Sequence, residues 1–165
     1  MNSRWLFAAI ALGCASLLGY GFYLQYVEFL DPCPLCMVQR VCFAAVGVVA
    51  LLGFIHGGIP RFYASLVALF ALVGAAVAGR QIWLQHTPGA EMLECGAGLG
   101  TMLNTLPFFE VVSTVLRGTG DCATVQWTFL GLSIPEWAII CFIAMFFACV
   151  TVVLKKQPRN PYANL

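Results

Sequence analysis

The sequence predicts an all-α integral membrane protein, a bundle of four transmembrane helices with two outer loops and a short amphipathic interfacial helix. Three observations predict it. The 165 residues are 61% hydrophobic and only 9% charged, against roughly 25% charged in a soluble domain. Four apolar runs are each long enough to cross about 30 Å of hydrocarbon, which takes roughly 20 residues as a helix. The charges between the runs divide by sign. The net charge of +1 argues against a nucleic-acid partner, and the runs leave too little chain for a large soluble domain. Residues 1–165 therefore read as one membrane domain, with outer loops at about 28–40 and 80–134.

The first run covers about residues 5–27. Its length and its bulky end, with Tyr20, Phe22, Tyr23 and Tyr26, fit a retained span better than a cleaved signal peptide, whose apolar stretch is short and ends at small residues. The second covers about 41–59 and stops at the breaker His56-Gly57-Gly58-Ile59-Pro60. The third covers about 62–79 and the fourth about 135–154. Runs one and three carry small residues at every fourth position: Ala11, Ala15 and Gly19 in one, Ala71, Ala75 and Gly79 in the other. Such stripes let membrane helices approach closely, although Ala and Gly are also simply common there. They favour a compact bundle. In LPFFEVVSTVLRG at 106–118, helical spacing puts Phe108, Val111, Val112 and Val115 on one face, and Glu110, Ser113, Thr114 and Arg117 on the other. Pro107 suits the first helical turn. The segment is too short to span, so it reads as a helix lying on the outer membrane surface or packed on the bundle. Both keep the outer loop near the bilayer.

Charge sets the expected orientation. Arg4, Arg61, Lys155, Lys156 and Arg159 flank one end of the runs with no acid among them. All seven acids flank the other end: Glu28, Asp31, Glu91, Glu94, Glu110, Asp121 and Glu136. Lys and Arg favour the cytoplasmic side. Both termini and the turn near Gly58 are therefore expected in the cytoplasm, with DPCPLCMVQR at 31–40 and the segment 81–134 outside. Arg40, Arg80 and Arg117 break the pattern, which makes each a candidate for a specific role.

This topology divides the eight cysteines. Cys14, Cys42, Cys141 and Cys149 fall in the runs, where a free cysteine behaves as a small hydrophobe. Cys33, Cys36, Cys95 and Cys122 fall outside, an even set in an oxidising compartment. Three readings compete for them. A structural zinc site usually takes paired C-x-x-C knuckles; only Cys33 and Cys36 have that spacing, so no metal is expected. Structural disulfides are the second reading, and a bridge closing the loop from Cys95 to Cys122 would contribute roughly 3–4 kcal/mol by chain entropy. A bridge within C-x-x-C closes too small a ring to add much. That spacing is instead the usual device of a redox-active pair with a lowered thiol pKa, so thiol–disulfide exchange is the third.

Pro34 suits an early helical position, so the second helix is expected to begin within the C-x-x-C. Cys36 then lies in the first turn, where the helix dipole favours an anion, with Arg40 one turn deeper on the same face. Both favour a thiolate at Cys36. A cation at the membrane edge is costly unless paired, and the thiolate or the oxygen of a bound acceptor offsets that cost. The alternative is that Arg40 snorkels to the headgroups. A disulfide pair that drives oxidation must pass two electrons onward, and the chain carries no haem signature, dinucleotide loop or flavin motif. A lipid-soluble quinone needs none of these. It needs an apolar groove, a nearby thiolate and a donor for its carbonyl oxygen. A quinone, ubiquinone or menaquinone, is thus the favoured acceptor, with Cys36 and Arg40 as its polar contacts.

Three elements carry a family resemblance: CPLCMVQR at 33–40, the lone Cys95 in the second outer loop, and GDCATVQWTFLGLSIPEW at 120–137. Together they resemble the DsbB family, disulfide bond formation proteins of the bacterial inner membrane. The last element is the most specific, and the resemblance covers most of the chain. It implies a thiol–disulfide oxidoreductase that reoxidises a periplasmic DsbA-like thioredoxin-fold protein and passes two electrons to the membrane quinone pool. It implies redox disulfides Cys33–Cys36, beside the quinone, and Cys95–Cys122, facing the partner, with Arg40 aiding quinone binding. It also implies attack by the partner's thiolate on Cys95, then by the released Cys122 on Cys33, leaving Cys36 as a thiolate. Arg80, Gln81 and His86, near the outer end of the third run, are further candidates to bracket the quinone, with no choice among them. Two alternatives stand beside this reading. One is a quinone reductase similar to vitamin-K-epoxide reductase, whose active pair is expected nearer the C-terminal end of the bundle. The other is a non-enzymatic scaffold whose outer loops are merely stapled.

Overall fold

The computed structural model describes residues 3–87, 89, 104–105, 107–118, 120–125 and 127–154. Cys95, Glu91, Glu94, Lys155, Lys156 and Arg159 lie outside the described residues. Four long helices make the body: α1 (Ser3–Tyr26), α2 (Pro34–His56), α3 (Pro60–Gln85) and α6 (Ile134–Leu154). Each is long and apolar enough to cross a membrane. Between α3 and α6 come α4 (Phe108–Arg117), the single turn α5 (Gly120–Ala123), and a two-stranded hairpin, β1 (Thr128–Phe129) and β2 (Leu132–Ser133). The chain is a multi-pass membrane protein built of helices apart from this hairpin, with a short amphipathic helix, as its composition and hydropathy require.

Two helices extend past the apolar runs. Helix α2 starts at Pro34, seven positions before the hydropathy rises, because Cys33 caps it: the Cys36 N–H donates to Cys33 Sγ at 3.3 Å. Proline at the first helical position has no N–H to orphan. Helix α3 continues to Gln85. Its polar residues past Gly79 find partners inside the protein, so nothing stops the helix there. At the start of helix α6 the Ser133 N–H and hydroxyl both donate to Glu136 Oε2, at 2.6 and 2.8 Å, the glutamate half of a Ser-x-x-Glu cap.

Helix α1 packs on α2, α2 on α3, and α3 most extensively on α6, while α1 and α6 touch only slightly. The main core lies among the four. Phe43 and Phe142 stack there with ring centroids 4.0 Å apart. Gly74 faces the Phe142 ring so closely that a methyl group at that position would overlap it. The small-residue stripes divide in the structure. On α3, Ala71 is fully buried and Gly79 faces Ile139 of α6. On α1, Ala15 is exposed and Gly19 meets nothing within 4 Å of an added Cβ. Of the α1 stripe only Ala11 packs against the core; α1 approaches α2 also through Cys14 against Gly47. Cys14, Cys42 and Cys149 are buried core side chains. Large apolar residues point away from the bundle along the spans, among them Leu12, Val48, Leu69 and Phe147.

A second, smaller core closes the end of the bundle that carries the C-x-x-C. Val111 and Val115 of α4 are buried there, packed with Leu35, Val77, Leu84 and Cys122. Helix α4 is thus seated on the bundle by these two valines. Phe109 and Val112 stay exposed, so Val112 does not share the buried face that helical spacing assigned to it.

Candidate active site

Cys33 and Cys36 stand at the start of α2, one as its cap and the other in its first turn. Cys33 Sγ donates to Cys36 Sγ across 2.8 Å, and neither sulfur is in a disulfide. Cys122 arrives from the opposite direction. The chain leaves α4 at Gly118, whose φ of +85° and contact with the Leu84 side chain exclude any Cβ, and turns at once into α5. That turn sets Cys122, with no exposed surface, into the second core. Cys122 there shares a side-chain hydrogen bond with Cys33. This bond, the one with Cys36 and burial together push the Cys33 thiol far above its ordinary range, because each favours the protonated form. Cys33 is therefore the sulfur that keeps its proton.

Two buried amides face these sulfurs. Gln39 lies on α2 and Gln81 on α3, exposed by only 4% and 3%. Gln39 Nε2 donates to Gln81 Oε1 at 2.7 Å. Gln81 Nε2 points to Cys36 Sγ at 3.2 Å and to Cys33 Sγ at 3.4 Å. Arg40 turns toward α1: Nη2 donates to the Gly21 carbonyl at 2.8 Å, Nη1 donates to Gln25 Oε1, and the guanidinium carbon lies 5.3 Å from the centre of the Phe22 ring. Its charge is thus held inside the protein by α1.

Cys33, Cys36, Gln39, Arg40 and Gln81 all line one cavity of about 300 Å³, at the small end of the range for ligand pockets. Its remaining walls are mostly apolar and include Leu17, Leu24 and Phe43. Aromatic rings from the Gly120–Trp137 stretch cover one side. Tyr20 and Trp127 meet edge to face at 5.9 Å, Trp127 stacks on Phe129 at 5.9 Å, and Phe129 lies 6.1 Å from Trp137. The hairpin holds these rings in place. Its turn, Leu130-Gly131, has positive φ at both residues, the conformation two-residue hairpins favour, and the Trp137 indole donates to the Phe129 carbonyl at 3.0 Å.

Of the residues singled out from sequence, Cys33, Cys36, Cys122 and Arg40 converge at this place, while Cys95 lies outside the described residues. Gln81 joins them. Arg80 and His86 turn elsewhere. The Arg80 guanidinium sits 4.4 Å from the Trp83 ring centre and donates to the Arg117 carbonyl, and His86 Nδ1 pairs with the Ile82 carbonyl. Sequence reasoning missed Gln39 and Gln25. Each is a lone amide in or beside an apolar run, where an unpaired polar group is costly, and that cost is the signal that could have marked both.

The comparisons agree with this architecture. A family model described as "Disulfide bond formation protein DsbB" matches residues 3–152. A "Disulfide bond formation protein B" from Marinobacter nauticus is 47% identical, covering 97% of this chain and 98% of the relative. Another from Stutzerimonas stutzeri is 45% identical over 94% of this chain and 98% of its own. "Disulfide bond formation protein B 1" of Pseudomonas aeruginosa is 43% identical over 94% and 97%. With a family match over nearly its whole length and the four-span bundle built around its C-x-x-C, the chain belongs to the DsbB family.

Proposed function

We propose that the chain is a protein-dithiol:quinone oxidoreductase, which reoxidises a periplasmic DsbA-like thioredoxin-fold protein and delivers two electrons to a membrane quinone. The observation that carries this reading is the position of Cys33, which shares side-chain hydrogen bonds with both Cys36 and Cys122. A sulfur that touches both can exchange disulfides between the two outer segments without a large movement.

In the resting protein the pairs are Cys33–Cys36 and Cys95–Cys122. A thiolate of the reduced partner attacks Cys95, forming a mixed disulfide and releasing Cys122 as a thiolate. Cys122 attacks Cys33, so the Cys33–Cys36 bond breaks, a Cys33–Cys122 bond forms, and Cys36 is left as a thiolate. The partner's second thiolate attacks its own mixed disulfide, which frees Cys95 and an oxidised partner. Cys95 then recaptures Cys122 and leaves Cys33 and Cys36 as the reduced pair. A quinone bound beside Cys36 supplies the acceptor, taking two electrons and two protons as it becomes a quinol. The sum is partner dithiol plus quinone giving partner disulfide plus quinol.

The cavity fits a flat apolar ring with carbonyl oxygens. Its walls are mostly aliphatic and aromatic, and its polar lining includes Cys36, Gln39, Arg40 and Gln81. Arg40 would donate to a carbonyl oxygen there. Orientation follows from the charges, with Arg4 and Arg61 cytoplasmic and the C-x-x-C in the periplasm of a bacterial inner membrane. This pair precedes α2, whereas a vitamin-K-epoxide-reductase-like pair is expected nearer the C-terminal helix.

The test is an assay of the purified protein with a reduced thioredoxin-fold oxidant and a short-tailed quinone, following quinol by absorbance. Turnover is expected, and it should vanish when any one of Cys33, Cys36, Cys95 or Cys122 is changed to Ser. Full activity in one of these variants, or none in the parent, overturns the proposal.

A further inference from the structure

We infer that the buried Gln39–Gln81 amide pair holds the negative charge of the C-x-x-C on Cys36: Gln81 contacts the reacting sulfur, and Gln39 positions Gln81. The inference deepens the reaction proposed above and rests on Cys36 being the sulfur that gives up electrons.

The argument starts from the orientation of one amide. A glutamine side chain offers acceptors at one atom and donors at the other. Gln39 Nε2 stands 2.7 Å from Gln81 Oε1. Were Gln81 turned over, two NH₂ groups would face each other with no acceptor between them. With Gln39 presenting its NH₂, Gln81 turns its own NH₂ toward the sulfurs, at 3.2 Å from Cys36 and 3.4 Å from Cys33. Gln81 Oε1 also stands 3.6 Å from Cys36 Sγ, but the nearer group is the N–H donor at 3.2 Å, and a donor favours a thiolate over a thiol. Both amides are almost wholly buried, so water does not compete for these bonds.

The choice between the two sulfurs follows from what else each meets. Cys33 takes the Cys36 N–H, donates its proton toward Cys36 and is hydrogen-bonded to Cys122. Cys36 receives the Cys33 proton donor and the Gln81 amide together. The other titratable groups lining the cavity are Asp31 and Asp121, whose charges oppose a thiolate; Arg40, whose charge favours one; and Tyr20 and Cys141. Helix α3 contributes amides and no charge to this lining. The Gln39–Gln81 pair thus supplies donors to the sulfur without placing a second full charge at bilayer depth.

The experiment measures the thiolate directly, without quinone. In full-length protein carrying Cys33→Ser, Cys95→Ala and Cys122→Ala, Cys36 is the remaining outer cysteine, and the serine keeps a proton donor at position 33. The rate of Cys36 alkylation by iodoacetamide, followed by peptide mass spectrometry, gives its titration midpoint. Gln81→Leu should move that midpoint up by about one pH unit, a tenfold loss of thiolate below both midpoints. Gln39→Met keeps a similar volume but removes the donor, so nothing holds Gln81 with its NH₂ toward the sulfur. It should move the midpoint the same way. Unchanged midpoints in both variants overturn the inference. An upward shift in Gln81→Leu alone removes Gln39 from it and overturns the paired arrangement. A failed quinol assay in the parent protein would instead count against the reaction, and leaves these midpoints meaningful on their own.

Discussion

Cys33 donates toward Cys36 across 2.8 Å and shares a side-chain hydrogen bond with Cys122. These bonds and its burial raise its pKa, so it stays protonated where an ordinary thiol, with a pKa of about 8.5, ionises. The sign of the pH effect follows. In the reduced protein the folded state holds this proton above the unfolded pKa and the unfolded state does not. The stabilisation is therefore complete below about pH 8.5 and is lost as pH rises beyond it. Thermal unfolding of the reduced protein should fall over that range, and Cys33→Ser should flatten the fall. Alkylation of reduced wild-type protein near neutrality should mark Cys36 well before Cys33. Arg40 has a different place. Its guanidinium is held by Gly21, Gln25 and Phe22, so Arg40→Ala should leave thiol exchange with the partner intact and raise the quinone KM by about tenfold, the worth of one charge-assisted bond. An unchanged KM in steady-state assays would remove Arg40 from the quinone site.

The elements were legible to different degrees, for physical reasons. Long apolar runs must be spans, and that constraint alone located α1, α2, α3 and α6. Their ends were less legible, because hydropathy stops at the first polar residue while a helix stops only when its backbone or side chains lack partners. Thus α2 begins at a cysteine cap, and α3 runs on through Arg80 and Gln81, which find Trp83 and the sulfurs. The three-residue stripe on α1 meets the core only at Ala11, since spacing says which residues share a face and not which face meets a neighbour. Helix α4 was readable from its spacing, yet among its described side chains only Val111 and Val115 are buried. Val115→Asp should therefore unseat it. Burying a carboxylate in that core costs about 2–4 kcal/mol, visible as a lower unfolding temperature in detergent, and Cys122 should become quicker to alkylate. Ser113→Asp, on the exposed face of α4, should do neither.

Across the molecule, what the sequence could not display was the meeting of distant segments. Gln81 lies 45 positions from Cys36 and 42 from Gln39, and no periodicity joins them. The two cores divide the work. The four-helix interior fixes the bundle, and the smaller core at the C-x-x-C end brings α4, α5 and α2 together around the sulfurs. If the proposed orientation holds, a membrane-impermeant maleimide added to intact cells should reach a cysteine introduced at Phe29 and spare one introduced at Gly58. The opposite pattern would invert the topology.

The slight contact between α1 and α6 has a kinetic corollary. These two helices both line the cavity, and in the proposed orientation their loosely packed seam would face the acyl chains. A substrate dissolved in lipid would come in through this seam, and its effective abundance is then its mole fraction in the surrounding amphiphile. Adding detergent at fixed total quinone should slow the purified protein as plain surface dilution does, while the soluble thiol partner's saturation curve stays where it was.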